Sequence, residues 1–205
     1  VNVSATRYLT ECAKTHQAKL VFTSSDLVFD GKHAPYREED LPEPANRYGR
    51  QKLEAEQKVL SYEHGIVCRM PLMFGPKSPS SGSFLQPMIQ FLKAGQPLNL
   101  FVDEVRTPLS SYKAAEGLML IADKKDPLVH LSGDTSINRY DFGLLLSDIL
   151  GTSKDLIVKR KLHEIDFEAS RPADTSMKND KAKKLGFNPG SLDDELRKVI
   201  AEIHQ

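Results

Sequence analysis

Tyr48 and Lys52 lie four residues apart in a stretch with helical character, which puts a phenol and an ammonium one turn apart on one face. A tyrosine that donates a proton near neutral pH needs its phenol brought down from about 10, and a neighbouring ammonium does this by favouring the phenolate. A Y-x-x-x-K spacing arises by chance in roughly a third of chains of this length, so the pair draws its meaning from what surrounds it. The plain alternative is two partly exposed helix residues. Thr23-Ser24-Ser25-Asp26 is the second feature, placed where the apolar run Leu20-Val21-Phe22 ends. In parallel α/β sheets ligands sit outside the carboxyl ends of strands, so hydroxyls there face a site. A simple turn is the competing reading.

The elements that must position these groups follow from periodicity. Asn2 to His16 repeats Val3, Leu9, Cys12 and Ala13 at roughly helical spacing and feeds the strand at Leu20 to Phe22. Asn46 to Glu63 reads as a second helix, entered after Pro42 and Pro44, supported by Glu54 and Lys58 and stopped before Gly65. Ile66 to Arg69 is the next buried strand, and helix, strand, helix, strand is the order of a parallel sheet with crossover helices. The Pro, Ser and Gly of Lys77 to Gly82 mark a loop or lobe boundary. Beyond it the pattern predicts a helix from Ser83 to Lys93 and a strand at Leu98 to Val102. A helix at Ser111 to Asp123, with Ser110 and Ser111 as caps, leads to a strand at Leu128 to Leu131. A helix capped by Ser136 and ended by Gly151 follows, then a last helix from Ser191 to about His204 with Asp194 completing a capping-box variant.

Composition sets the class. The 205 residues carry 28 basic and 28 acidic side chains and 40% hydrophobic residues, so collagen, disulfide scaffolds and wholesale disorder are excluded. Zero net charge removes the basic field that nonspecific nucleic-acid or anionic-membrane binding needs. Apolar runs such as Leu118 to Ala122 fall far short of the roughly 20 residues of a membrane span. Cys12 and Cys68 stand alone and read as core fillers in a reducing, cytoplasmic setting. The six histidines show no metal spacing, and Arg37 to Asp40 reads as a solvated charged loop. Arg106, Lys159 and Arg171 could meet a substrate diphosphate through bidentate donors, with surface ion pairs as the alternative.

Thr23 to Gln57, TSSDLVFDGKHAPYREEDLPEPANRYGRQKLEAEQ, resembles the extended short-chain dehydrogenase/reductases, and among them the dTDP-4-dehydrorhamnose reductase branch. The shared features are a hydroxyl-Asp-x-Val-Phe-Asp-Gly strand end, a Pro-Tyr-x-Glu loop and Tyr-Gly-x-x-Lys. The likeness extends to Arg69-x-Pro71, Phe74-Gly75-Pro76, Arg171-Pro172 and Leu185-Gly186-Phe187. It implies Tyr48 as proton donor, Lys52 as the pKa-lowering and ribose-binding lysine, Ser25 rather than Ser24 as the carbonyl-orienting hydroxyl, and Pro71 and Leu72 beside a nicotinamide. Hydride arriving at a ketone carbon leaves charge on oxygen, which suits a serine donor and a tyrosine acid. Ser25, Asp26, Arg106 and Arg171 are the expected substrate contacts. The implied cofactor is NADPH or NADH, the implied substrate a nucleotide-linked 4-keto-6-deoxysugar of the kind used in dTDP-rhamnose biosynthesis, and a homodimer is an open expectation.

Two departures qualify the likeness. Leu27 stands where the branch commonly has Tyr and where sugar-nucleotide dehydratases have Glu, so one substrate-facing hydroxyl is missing and dehydration is disfavoured. None of the 12 glycines forms the G-x-G-x-x-G turn that lets backbone approach a pyrophosphate. The expected fold is α/β: the second half of a Rossmann-type doubly wound parallel sheet plus a smaller α/β substrate lobe, with the first βαβαβ half absent. Residues 1–76 with 111–132 are expected in the nucleotide-binding part, and 77–110 with 133–205 in the lobe. Such an N-terminally incomplete chain is expected to be inactive alone and to aggregate through the edge of its Leu20 to Phe22 strand. The same motifs also resemble the regulatory subunit of methionine adenosyltransferase, a non-catalytic binding role, and a sugar-nucleotide epimerase is a third reading.

Overall fold

A computed structural model describes residues 2–76 and 83–203, so the expected loop over 77–82 and the end of the last helix at His204 lie outside the described residues. Helix α1 (Asn2–His16) leads into strand β1 (Leu20–Ser25), and helix α2 (Arg47–Leu60) into β2 (Gly65–Met70). After β3 (Met73–Phe74) come α3 (Leu85–Lys93), β4 (Leu98–Phe101), β5 (Val105–Arg106), β6 (Leu109–Ser110) and α4 (Ser111–Ala122). The chain continues through β7 (Leu128–His130), β8 (Ile137–Asn138), α5 (Arg139–Leu150), β9 (Ile157–Arg160), α6 (Asp180–Lys184) and α7 (Leu192–Ile203).

The main sheet is parallel with order β1-β2-β7: Leu20 faces Gly65, Ser25 faces Met70, and Arg69 faces His130. Alternation along β2 sends Ile66, Cys68 and Met70 to one face, where they join Ala114 and Ile121 of α4, Ala182 of α6 and Phe187 in a core cluster. Val67 and Arg69 point to the other face, which α2 covers with Ala55, Glu56 and Val59. Helices on both faces make this the expected α/β architecture, with β1 at the edge of the sheet. A second apolar cluster joins Phe74, Leu85, Leu92, Phe142, Leu146, Ile157 and Leu196, contributed by α3, α5, β9 and α7. Parallel pairing of β4 with β9 and antiparallel pairing of β5 with β8 flank it.

Most expected caps form. Ser110 accepts from the Lys113 amide, Ser191 from that of Asp194, and Gly151 ends α5 at φ +66°, where a side chain would be strained. Three readings need correction. Ser136 does not cap α5: Ile137 and Asn138 pair with Arg106 and Val105, so the cap falls two residues later, where Asn138 Oδ1 accepts from Asp141 N at 2.7 Å. Cys12 is exposed, as is Leu9, because α1 turns a small face of Thr6, Thr10 and Ala13 inward. Both buried threonine hydroxyls donate to carbonyls one turn back, so no polar group is stranded. Cys68 is fully buried as expected, and burial pushes its thiol up to about 12. Glu38 is also more than solvated charge, since it accepts from the His130 amide on β7.

Candidate active site

The cleft forms where β1 and β2 run out. At the end of β1 the chain enters a single 3₁₀ turn, Asp26–Val28, and Ser25 caps it by accepting from Leu27 N at 3.2 Å while donating to Asp26 Oδ1 at 3.0 Å. Asn46 starts α2 by accepting from Gly49 N at 2.9 Å, and its amide reaches across to donate to Ser170 O at 3.1 Å. Gly49 is required there, because a Cβ would collide with the Leu27 carbonyl oxygen. Close approach of helix to turn brings Tyr48 opposite Ser25.

The resulting cleft has a volume of about 520 Å³. Ser25, Tyr48, Pro71 and Leu72 line it on one side, and Glu104, Arg106 and residues 169–172 on the other. Ser24 is not in its lining; strand alternation turns that side chain to the opposite face, where its hydroxyl is buried without a partner. Lys52 stands one turn behind Tyr48, its ammonium donating to Thr23 O at 2.9 Å and lying 5.8 Å from the Tyr48 ring. Tyr48 and Lys52 thus share one helical face as their spacing predicts, and Ser25 lines the same cleft as Tyr48.

The electrostatics differ from the expectation. The Tyr48 phenol is raised, not lowered: partial burial is the main cause, the Asp26 charge adds to it, and the Ser25 hydroxyl opposes it. Lys52 is lowered by burial, with Glu56 pulling the other way. Asp26 is 4% exposed, and burial raises its carboxyl against the opposing pull of Arg106, Thr175 and Ser25. Thr175 donates to Asp26 Oδ2 at 2.8 Å and Arg106 Nε lies 3.5 Å from the same oxygen.

The two arginines of the cleft divide in role. Arg106 is 5% exposed, and its remaining nitrogens donate to Val105 O, Ala173 O, Pro172 O and Glu104. A guanidinium so committed has little left for a diphosphate. Arg171 keeps 47% of its side chain exposed, stacks on Phe167 at 4.3 Å and touches Glu104 only at 4.0 Å, so its fork is available. Lys159 lies over Tyr140 and does not line the cleft. Glu104, which draws in Arg106, Arg139 and Arg171, escaped the sequence reading, as did Asn46. Asn46 was findable as a capping residue ahead of Tyr48; Glu104 carried no such local signal. Among the described residues no cluster of His, Cys, Asp and Glu could hold a metal, and no helix is long and apolar enough to cross a membrane.

A family model for the RmlD substrate binding domain matches residues 1–205, the whole chain. The chain belongs to that family. This RmlD-type domain is 27% identical over 216 residues to a dTDP-4-dehydrorhamnose reductase of Aggregatibacter actinomycetemcomitans, covering 98% of the chain and 72% of the relative. It is 33% identical over 158 residues to methionine adenosyltransferase 2 subunit beta of Xenopus laevis, covering 72% of the chain and 47% of that relative. It thus spans about half the length of the curated beta subunits it matches. The crystal structure of dTDP-4-dehydrorhamnose reductase from Bacillus anthracis str. Ames, solved in complex with NADP, superposes with a TM-score of 0.90 at 22% identity, covering 98% of this chain and 72% of that one. The RmlD-type domain therefore has the Rossmann-type fold expected from Thr23 to Gln57, in partial form.

Proposed function

We propose that the protein carrying this chain reduces a nucleotide-linked 4-keto-6-deoxysugar with NADPH or NADH, in the manner of dTDP-4-dehydrorhamnose reductase. The observation that carries this reading is the convergence of Ser25 and Tyr48 on one cleft with Pro71 and Leu72, Lys52 standing one turn behind. The donor set suits the nicotinamide half of such a cofactor. Lys52 spends one N–H on Thr23 O and keeps the others for ribose hydroxyls, while Tyr48 is 44% exposed at the cleft. A glycine-rich turn for the pyrophosphate does not occur in the 205 residues.

A reduced nicotinamide, when bound, supplies the hydride. The acid–base work falls to this chain. Ser25 swings its proton from Asp26 to the carbonyl oxygen, and Tyr48 delivers a proton to the same oxygen as charge develops there. The phenol is raised by partial burial and by Asp26, so Tyr48 holds its proton more tightly than a free phenol does, and the transfer draws on the charge that develops on the carbonyl oxygen. The Leu27 amide holds Ser25 in place, Arg106 opposes the burial that raises Asp26, and Arg171 offers its half-exposed fork to the diphosphate. Residues 1–76 with 111–132 are assigned to the nucleotide and 83–110 with 133–203 to the substrate, although Ala182 and Phe187 of the second group pack on the main sheet; Glu104 and Arg171 reach the cleft from that group.

A second reading, a non-catalytic regulatory subunit, has the 33% identity to the beta subunit in its favour. Incubating the intact protein with NADPH and dTDP-4-dehydrorhamnose separates the two: loss of NADPH absorbance supports the reductase. No turnover at saturating substrate overturns it.

A further inference from the structure

Glu56 and Arg69 form an ion pair inside the molecule, with side chains 1% and 3% exposed. Arg69 Nη2 donates to Glu56 Oε2 at 2.9 Å, and Nε lies 3.1 and 3.3 Å from the two carboxylate oxygens. The guanidinium also sits over the Phe29 ring at 5.0 Å, and its Nη1 approaches His130 Nε2 at 3.4 Å. Burial, reinforced by the Arg69 charge, pushes His130 down to about 3, so the ring stays neutral and Nε2 can accept.

Such a pair is a poor source of stability. Both charges lose their hydration, and apolar side chains of similar volume often hold a core as well or better. What the two-pronged fork supplies is direction. Glu56 follows Lys52 by one helical turn and Tyr48 by two on the same face of α2, while Arg69 sits on β2 just before Pro71 and Leu72. Neither Glu56 nor Arg69 lines the cleft. The other buried residues of α2 are Gly49, Ala55 and Val59, whose small side chains resist sliding weakly. Gly49 anchors one end of the helix by its close approach to Leu27.

We propose that Glu56 and Arg69 are positioning residues: their fork sets the register of α2 against β2 and so holds Tyr48 and Lys52 at the strand end that delivers Pro71 and Leu72. The kinetic part of this proposal rests on the reductase reading; the structural part does not.

The test uses the intact protein with three variants: Glu56→Gln, the apolar pair Glu56→Leu with Arg69→Met, and Arg69→Lys. Glu56→Gln strands the guanidinium and should melt lowest. The apolar pair should melt at or above the parent, yet lose about tenfold or more in kcat with KM within about twofold. Arg69→Lys keeps the charge without the fork, should lose kcat likewise, and carries the test if the apolar pair does not fold. A folded apolar pair or Arg69→Lys with the parent's kcat overturns the proposal. A readout without turnover accompanies these: in 13C-tyrosine protein the Tyr48 ring signal, assigned by Tyr48→Phe, should move in the folded variants while that of Tyr140, on α5 in the second apolar cluster, stays. An unmoved Tyr48 signal overturns the positioning role whether or not the parent is a reductase, whereas an inactive parent with a moved signal sinks only the reductase reading.

Discussion

Replacing Gly49 with alanine perturbs the site by geometry alone. The added Cβ meets the carbonyl oxygen of Leu27 and lies 2.8 Å from Pro44 Cβ. The oxygen belongs to the 3₁₀ turn that Ser25 caps, so neither side yields freely, and the first turn of α2 must retreat on the order of 1 Å before the atoms reach contact distance. Overpacking of this kind costs about 1–3 kcal/mol. For a chain of this size that lowers the melting temperature by roughly 2–12 °C. Tyr48 moves with the turn, and a misplacement of about 1 Å can cost on the order of 100-fold in rate. Thermal unfolding followed by circular dichroism and steady-state NADPH oxidation read the two effects. Arg50→Ala, exposed one residue away, serves as the control and should change stability by less than about 0.5 kcal/mol. A Gly49→Ala protein that melts with the parent and the control would falsify the claim that helix and turn are in contact at that point.

Tyr48→Phe should abolish ketosugar reduction while leaving substrate binding intact, and the Tyr48 13Cζ signal of the parent should titrate above the ordinary phenol range, because burial and Asp26 raise the phenol; titration at or below that range contradicts this. Arg106 and Arg171 should part company. Arg106→Met strands Asp26 and Glu104 and should cost about 3–5 kcal/mol in chemical unfolding, whereas Arg171→Ala should keep the parent's melting temperature and raise the KM for the nucleotide sugar; equal stability losses would show the two roles misassigned. Tyr36→Phe removes the phenol oxygen that accepts from the amides of Gly31, Lys32 and His33 and donates to Asp30 at 2.6 Å. Stranded donors cost about 1–3 kcal/mol each, so urea unfolding should register at least that. Burial works against the ionised Asp30, but Tyr36 and the Lys32 amide prevail and hold its carboxyl below the usual range. Its folded value lies under the unfolded one, so its contribution is present above the unfolded value and is lost as pH falls through the folded one. Removing the Tyr36 hydroxyl should therefore move the acid-unfolding midpoint upward, and an unchanged midpoint would count against this account.

The local parts of the site were legible before any coordinates. β1 and α2 appear where their apolar runs and caps place them, and Tyr48 and Lys52 share a helical face because they are four residues apart, whereas Ser25, singled out by the family resemblance, faces Tyr48 only through the close approach of Gly49 to Leu27. The same holds for Gly151 and Ser191, whose roles depend on neighbours within one turn. What lies outside that range was not readable. β3, β5, β6 and β8 are two residues long and exist only through partners far along the chain, as Val105 does through Asn138. β9 escaped for a related reason, since its Lys159 and Arg160 are exposed and its strand character comes from β4. Cys12 and Leu9 match an apolar stripe but face outward, because α2 accepts the threonine side of α1 instead. The sequence by itself determined the main strands and helices and the helical face that Tyr48 and Lys52 share. Only the tertiary structure decided the state of the site's side chains: Tyr48 is raised because folding buries it beside Asp26, Arg106 is spent because the carbonyls of Pro172 and Ala173 close on it, and Arg171 stays half exposed. Each of those outcomes depends on burial and on charges brought together across many tens of residues, which no spacing along the chain encodes.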